Sequence, residues 1–304
     1  MIATESGATF ECFGSACSIF VTGDGDAGSA GEAVDWARGE LLRWHGKFTR
    51  FEPDSELSRL NADPRPSVHV SPEMVRFAQL VQQAASLSNG LVDATLLGEI
   101  ESAGYTTDLG EPASLRDSLR AAPQRRAATA SPASRWGELF VDARAGMITR
   151  PPGLRLDSGG LAKGLFCDLL AETLESHDAY AVDCAGDVRV GGTRLTPRLI
   201  QVASPFEDRI LHSFESSSVA AATSGIGRRS WHDVGGRPAH HLLDPSTGLP
   251  AFTGVVQATA LAPTAALAEI CAKAAILSGP EAAAGWLPLG GVVVYDDGTH
   301  EVVE

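Results

Sequence analysis

Apolar positions along the chain switch between two periods. In residues 33–48, Val34, Ala37, Leu41, His45 and Phe48 recur at three- and four-residue steps, the spacing of one helix face. Residues 71–88 repeat that spacing through Val75, Ala78, Val81 and Ala85. Ser71 stands at the N-cap, Pro72 at the first helical position and Asn89-Gly90 at the stop. Residues 161–176 predict another helix, with Ala162, Leu165, Leu169 and Thr173 on one face, and Ala265–Ser278 predicts an apolar one closed by Gly279. Residues 91–105 read as a turn and a helix, and the polar stretch 50–61 as a loop with a short turn.

Elsewhere the period falls to two or the apolar runs shorten. Residues 10–23 read as a strand or hairpin edge in which Cys17, Ile19 and Val21 alternate, and 66–70 as extended chain. Residues 139–142 and Met147–Thr149 predict a hairpin around Arg144-Ala145-Gly146. Further strands are predicted at Ala179–Cys184, 188–191, 199–203, 218–222 and 255–261. Gly291–Tyr295 and His300–Val303 form a last hairpin with Asp297-Gly298 in its turn. Short successive strands with interspersed helices predict an α+β fold of antiparallel sheets with flanking helices. Residues 106–136 carry the weakest pattern, and 124–134, rich in Ala, Ser, Pro and Arg, read as a linker or mobile loop.

Composition narrows the function classes. The 304 residues include 24 Lys and Arg against 38 Asp and Glu, a formal charge of −14. That acidity argues against a nucleic-acid-binding role and against docking on anionic lipid. No stretch approaches the ~18 apolar residues of a membrane span, and the first thirteen residues carry no basic group, so a cytoplasmic protein without membrane insertion is expected. Cys12, Cys17, Cys167, Cys184 and Cys271 are odd in number and lie in apolar surroundings, which predicts buried free thiols.

Candidate chemistry collects in a few short segments. Asp157-Ser158-Gly159-Gly160-Leu161-Ala162-Lys163-Gly164 places two glycines and a lysine at a helix start, where free N–H groups favour an anion such as a pyrophosphate. It follows neither the P-loop nor the Rossmann spacing, and a plain turn with a solvated lysine fits it equally. Asp183-Cys184-Ala185-Gly186-Asp187 ends an apolar strand and suits a ligand contact or a simple turn. His240-His241-Leu242-Leu243-Asp244-Pro245 offers a base near neutral pH, and neighbouring residues of a strand face opposite sides, so one histidine at most shares a site. Thr223-Ser224-Gly225 with Arg228-Arg229 suits an anion or a surface loop. Glu269 and Lys273, four apart on the apolar helix, are either a rim salt bridge or a pair facing a site.

In this order the segments resemble the ApbE family of flavin transferases (FAD:protein FMN transferases), from about Phe13 to Gly279. Residues 51–61 are similar to that family's early polar segment, and Val92-Asp93-Ala94-Thr95 to its D-P-T turn with Ala94 in place of the proline. Residues 157–164 match D-x-G-G-x-A-K-G, and 183–187 resemble N-x-G-G-D with Asp183 and Ala185 departing. Residues 222–225 and 241–248 match A-T-S-G and H-x-x-D-P-x-T-G, and Ala262-Pro263-Thr264 opens the helix that carries the family's metal site. Phe13-Gly14-Ser15 stands where the family has M-G-T.

The resemblance implies one ApbE-like unit over 1–304, with two lobes around a cleft that holds FAD. It implies an enzyme that moves the FMN half of FAD onto a threonine or serine hydroxyl of an acceptor flavoprotein and releases AMP. FAD hydrolysis on the same scaffold and non-catalytic FAD binding are the alternatives. Phe13 would pack on a ring of the cofactor, and Asp93 and Thr95 would line the cleft. Asp157, Gly159, Gly160 and Lys163 would contact the cofactor, as would Asp187, Ser224 and Lys273. His241 would be the base, and Asp244 its orienter or a group supporting the site from behind it. The Ala162 carbonyl and Glu269 would hold magnesium. Lys273 occupies a position where the family ligates that ion through threonine, which implies a lysine supplying part of the metal's charge and a weak or absent magnesium site.

Overall fold

The computed structural model describes residues 4–107 and 112–304, so readings that touch 1–3 or 108–111 lie outside the described residues. Its centre is an eight-stranded antiparallel sheet. Glu5–Cys12 and Ser15–Thr22 form a hairpin at one edge. Ala179–Cys184, Asp187–Gly191, Val219–Gly225, Val255–Ala262, Gly291–Tyr295 and His300–Val303 follow in chain order across it. The sheet therefore takes strands from both sides of the weakly patterned stretch 106–136.

Three helices cover one face of the sheet: α1 (Ala30–Phe48) on the first hairpin, α6 (Ala162–Leu174) on the strands from 179 to 191, and α7 (Ala265–Ser278) on Val219–Gly225 and Val255–Ala262. Between them come α2 (Glu56–Ala62), α3 (Pro72–Leu87), α4 (Leu97–Ser102) and α5 (Leu115–Ala121). A small sheet joins Ser67–His69, Phe140–Asp142 and Met147–Thr149, and a ribbon of Arg198–Ala203 with Ile210–Ser216 lays Ile200 against Val190 and Ala221 of the main sheet. Two large apolar clusters result, one under α1, α3 and α6 and one around α7.

Local chemistry explains these elements. Ser71 accepts from the Met74 N–H at the start of α3, Pro72 follows it, and Asn89 (φ 50°) and Gly90 (φ 82°) turn the chain left-handed at the end, as the sequence predicts. α1 starts three residues before the predicted 33, because Ser29 and Glu32 close a capping box. The stretch read as a polar loop, 50–61, contains α2, which Ser55 caps. The edge read at 10–23 is a full hairpin whose two-residue turn, Phe13 (φ 58°) and Gly14 (φ 69°), is left-handed at both positions. All five cysteines are free and buried. Residues 124–134 hold no helix or strand, yet Arg126 N–H donates to the Phe252 carbonyl (3.0 Å), Ala128 N–H to Leu277 (2.8 Å), and Ala128 is buried.

Candidate functional site

A cavity of about 730 Å³ opens where the C-terminal end of α1, the 91–96 turn, the glycine turn before α6, and residues 228–229 and 241–243 meet α7. The glycine turn is anchored on both sides: Ser158 Oγ donates to the Phe48 carbonyl (2.7 Å) and Asp157 N–H to the Ala94 carbonyl (2.8 Å). Both glycines leave room for close-lying side chains. A Cβ on Gly159 would lie 3.1 Å from the Asp157 carboxylate, and one on Gly160 3.3 Å from Lys273 Cε. Among the described residues no side chain caps α6, and Ala162 and Lys163 of its first turn line the cavity.

Asp157 lies between two guanidiniums. Arg50 Nε is 3.4 Å from its carboxylate, and Arg229, which donates to the Gly159 carbonyl (3.2 Å), lies on its other side. Burial pushes the Asp157 carboxyl up, and Arg50 and Arg229 offset only part of that. Arg50 also donates to the Tyr105 carbonyl (2.7 Å) and lies over the Tyr105 and Phe51 rings, 4.3 and 4.5 Å from their centroids.

Behind the turn, α6 and α7 bring four charged groups together. Lys163 donates to Asp187 and lies 3.5 Å from Glu269 Oε1, while Lys273 donates to that same oxygen (3.0 Å) and to Ser224 Oγ (3.4 Å). Glu269 Oε2 accepts the Gly164 N–H (3.1 Å). Burial would raise Glu269, but the ammoniums of Lys273 and Lys163 hold it below the usual carboxylate range. Asp187 behaves differently: burial and the Glu269 charge push it up to about 7 against the pull of Lys163 and Lys273. Burial would lower Lys163, but Asp187 and Glu269 hold it above its ordinary value, whereas burial keeps Lys273 below its own.

His241 lines the cavity. Its Nδ1 faces the Arg229 carbonyl at 3.4 Å, and a carbonyl can only accept, so the proton belongs on Nδ1 and the lone pair on Nε2. Burial, Arg229, His240 and Lys273 hold it well below the ordinary histidine value, so the ring is neutral at pH 7. His240 points away, buried edge-on against Phe252 (4.7 Å).

Asp157, Gly159, Gly160, Ala162 and Lys163 line the cavity together with Phe13, Asp93, His241 and Lys273. Phe13 sits edge-on to His45 (4.9 Å) and stacks on Phe166 (5.9 Å). Asp93 Oδ2 is buried without a partner, and burial raises its carboxyl. Thr95 does not reach the cavity; it holds Asp93 through its N–H (2.8 Å) and hydroxyl (2.6 Å). Asp187, Ser224 and Glu269 also stand back from the cavity, holding the two lysines.

Asp244 does not orient His241. Its carboxylate accepts from Ser246 N–H (3.0 Å) and Oγ (2.8 Å), from Thr129 N–H (3.1 Å) and from Arg126 (3.0 Å). It shapes its own turn and pins the 124–134 segment; the carbonyl that orients His241 is Arg229's. Arg50, His45 and Tyr105 were missed as cavity residues. His45 reads as one more core position of α1, and Arg50 and Tyr105 meet only through tertiary contact.

Solved structures share this fold. The ApbE protein of Thermotoga maritima superposes with a TM-score of 0.79 at 24% identity, covering 99% of this chain and 97% of that one. Flavin transferase ApbE from Vibrio cholerae gives 0.73 at 20% identity over 99% and 98%. Among curated sequences, an FAD:protein FMN transferase of Rhodobacter capsulatus is 27% identical across 90% of this chain and 51% of its own length. One of Vibrio cholerae is 26% identical across 84% and 77%. The chain thus spans about half the length of the first relative and about three quarters of the second. With the family model matching from residue 13 to residue 294 and the fold shared throughout, the chain belongs to the ApbE family.

Proposed function

We propose that this protein, acting as one functional unit, moves the FMN moiety of FAD onto a threonine or serine hydroxyl of an acceptor flavoprotein. The observation that carries this reading is a neutral His241, its Nδ1 turned to the Arg229 carbonyl, in the lining of a cavity shared with Lys163, Lys273 and the glycine turn. The names of the Rhodobacter and Vibrio relatives support it.

In the proposed reaction the acceptor oxygen attacks the FMN-side phosphorus as His241 Nε2 takes the hydroxyl proton. The bond from that phosphorus to the bridging oxygen breaks, and AMP leaves with the electron pair. Placement and charge compensation carry most of such a transfer. The ammoniums of Lys163 and Lys273, both lining the cavity, suit the pyrophosphate. Phe13 offers a ring to stack on, and Arg50 with Tyr105 offers a second platform on the far side of the glycine turn.

Magnesium, which the family resemblance implies, does not fit the groups present. Glu269 Oε1 already faces two ammoniums at 3.0 and 3.5 Å, and its Oε2 is bonded to a backbone N–H. A dication about 4 Å from one ammonium is repelled by about 8 kcal/mol at an effective dielectric of ~20. No step is therefore routed through a metal.

The test is to mix the protein with FAD and a candidate acceptor and weigh the acceptor. A mass gain of one FMN with AMP released is expected. Free FMN and AMP with an unmodified acceptor would assign hydrolysis instead, and retained intact FAD would overturn catalysis.

A further inference from the structure

We propose that Lys273 is the resident cation of this site, meeting the pyrophosphate oxygens of FAD with its ammonium and making FAD binding and cleavage independent of divalent metal. The inference rests on the flavin-transfer reading and gives that same site its charge chemistry.

The position of the lysine is the first argument. α7 is apolar almost throughout, and Lys273 is only 6% exposed, yet it lines the cavity. A buried ammonium is strongly disfavoured unless its donors and charge are satisfied. Lys273 has three donors and, among the described residues, two partners, a shared oxygen of Glu269 and the neutral hydroxyl of Ser224. The third donor is left for whatever enters the cavity.

The two lysines are not equivalent. Lys163 donates to Asp187, which no other ammonium touches, and also approaches Glu269. Its charge is matched inside the protein. Lys273 shares its one carboxylate with Lys163, so its field is the less compensated and extends into the cavity. Gly160 is part of the arrangement, since a Cβ there would lie 3.3 Å from Lys273 Cε and crowd the stem that delivers the ammonium. A compact point charge in a water-poor site can supply the electrostatic stabilisation that a metal gives elsewhere.

The geometry also sets a limit on metal. Two ammoniums face two carboxylates here, and one of those, Asp187, is pushed up to about 7, so the cluster carries no net negative charge to draw a metal ion. Anionic FAD then meets an arrangement whose free donor comes from Lys273, and adding a divalent ion would require displacing that ammonium.

The experiment measures FAD and riboflavin binding by flavin fluorescence, and FAD cleavage by AMP release with the candidate acceptor present, for wild type and Lys273→Met, each in EDTA and in excess magnesium. For wild type, affinity and cleavage are expected to agree within about twofold in the two buffers. Lys273→Met should lose tenfold or more in FAD affinity and in turnover while binding riboflavin, which lacks a pyrophosphate, as tightly as wild type. Saturable activation of wild type by magnesium from an inactive EDTA state would overturn the proposal, and so would equal losses of FAD and riboflavin binding in the variant. Should Lys273→Met not fold, the wild-type comparison of the two buffers decides alone. Absence of FAD cleavage by wild type in either buffer would sink the transferase reading instead, while binding that needs magnesium would sink only the lysine.

Discussion

Gly164→Ala tests whether the site depends on how closely α6 approaches α7. A Cβ on Gly164 would lie 2.7 Å from the Ala265 carbonyl oxygen, 2.8 Å from Ala266 Cα and 2.9 Å from Ala265 C. All three are backbone atoms, so no rotamer change relieves the contact and the helices must separate by several tenths of an ångström. Overpacking of this kind costs about 1–3 kcal/mol, and the better helix propensity of alanine returns about 0.5–1. The net expectation is a loss of about 1–2 kcal/mol. Gly39→Ala makes the same chemical change at an exposed position of α1, where nothing lies within 4 Å of the added methyl, and should gain about 0.5–1 kcal/mol. Urea denaturation followed by circular dichroism measures both. FAD affinity should fall only in Gly164→Ala, because Lys163 stands on one helix and Lys273 and Glu269 on the other, with Gly164 N–H bonded to Glu269 between them. Equal stability of the two variants with unchanged FAD affinity would refute the close approach and the site built on it.

His241→Gln should keep FAD binding and lower turnover by about 10²–10⁴, the usual contribution of a general base, read as AMP release with FAD saturating. Because burial and neighbouring cations hold His241 well below the ordinary value, a fall in wild-type kcat/KM near pH 6.5 that disappears in His241→Gln would contradict the buried neutral ring, whereas a step near 7 kept in that variant belongs to Asp187. His240 titrates near 6.5 when unfolded and near about 3 when folded, so its contribution to stability is complete above pH 6.5 and is lost as pH falls toward 3. At about 1.4 kcal/mol per pH unit that amounts to about 2 kcal/mol at pH 5, and urea melts at pH 7 and 5 should show a smaller drop in His240→Phe. Ser29→Ala removes the capping box of α1 and should lower stability by about 1 kcal/mol in the same melts.

Elements whose signal is local were legible in the chain. The Ser71-Pro72 start and Asn89-Gly90 stop of α3 lie within one turn of the residues they act on, and the apolar run of α7 ends at Gly279, whose left-handed φ of 80° closes it. The short helix α2 was hidden because only Leu57 and Leu60 are buried in it, too few to establish a period. Candidate site residues carried a signal where glycines, a lysine and a histidine sat in ordered motifs. Roles within those motifs did not follow from spacing: Asp244 is three residues from His241, yet it turns to Thr129 and Arg126.

The sequence alone determined the start and stop of α3, the stop of α7 at Gly279, the antiparallel α+β class and the motif order that resembles the ApbE family. These rest on interactions a few residues long. Only the tertiary structure decided that Lys163, Asp187, Glu269 and Lys273 form one buried cluster, that Arg50 and Arg229 flank Asp157, and that the Arg229 carbonyl fixes the His241 proton. Pairing distances between residues dozens to a hundred positions apart depend on how closely two helices and a sheet pack. The burial that tunes each charge exists only after that packing is complete.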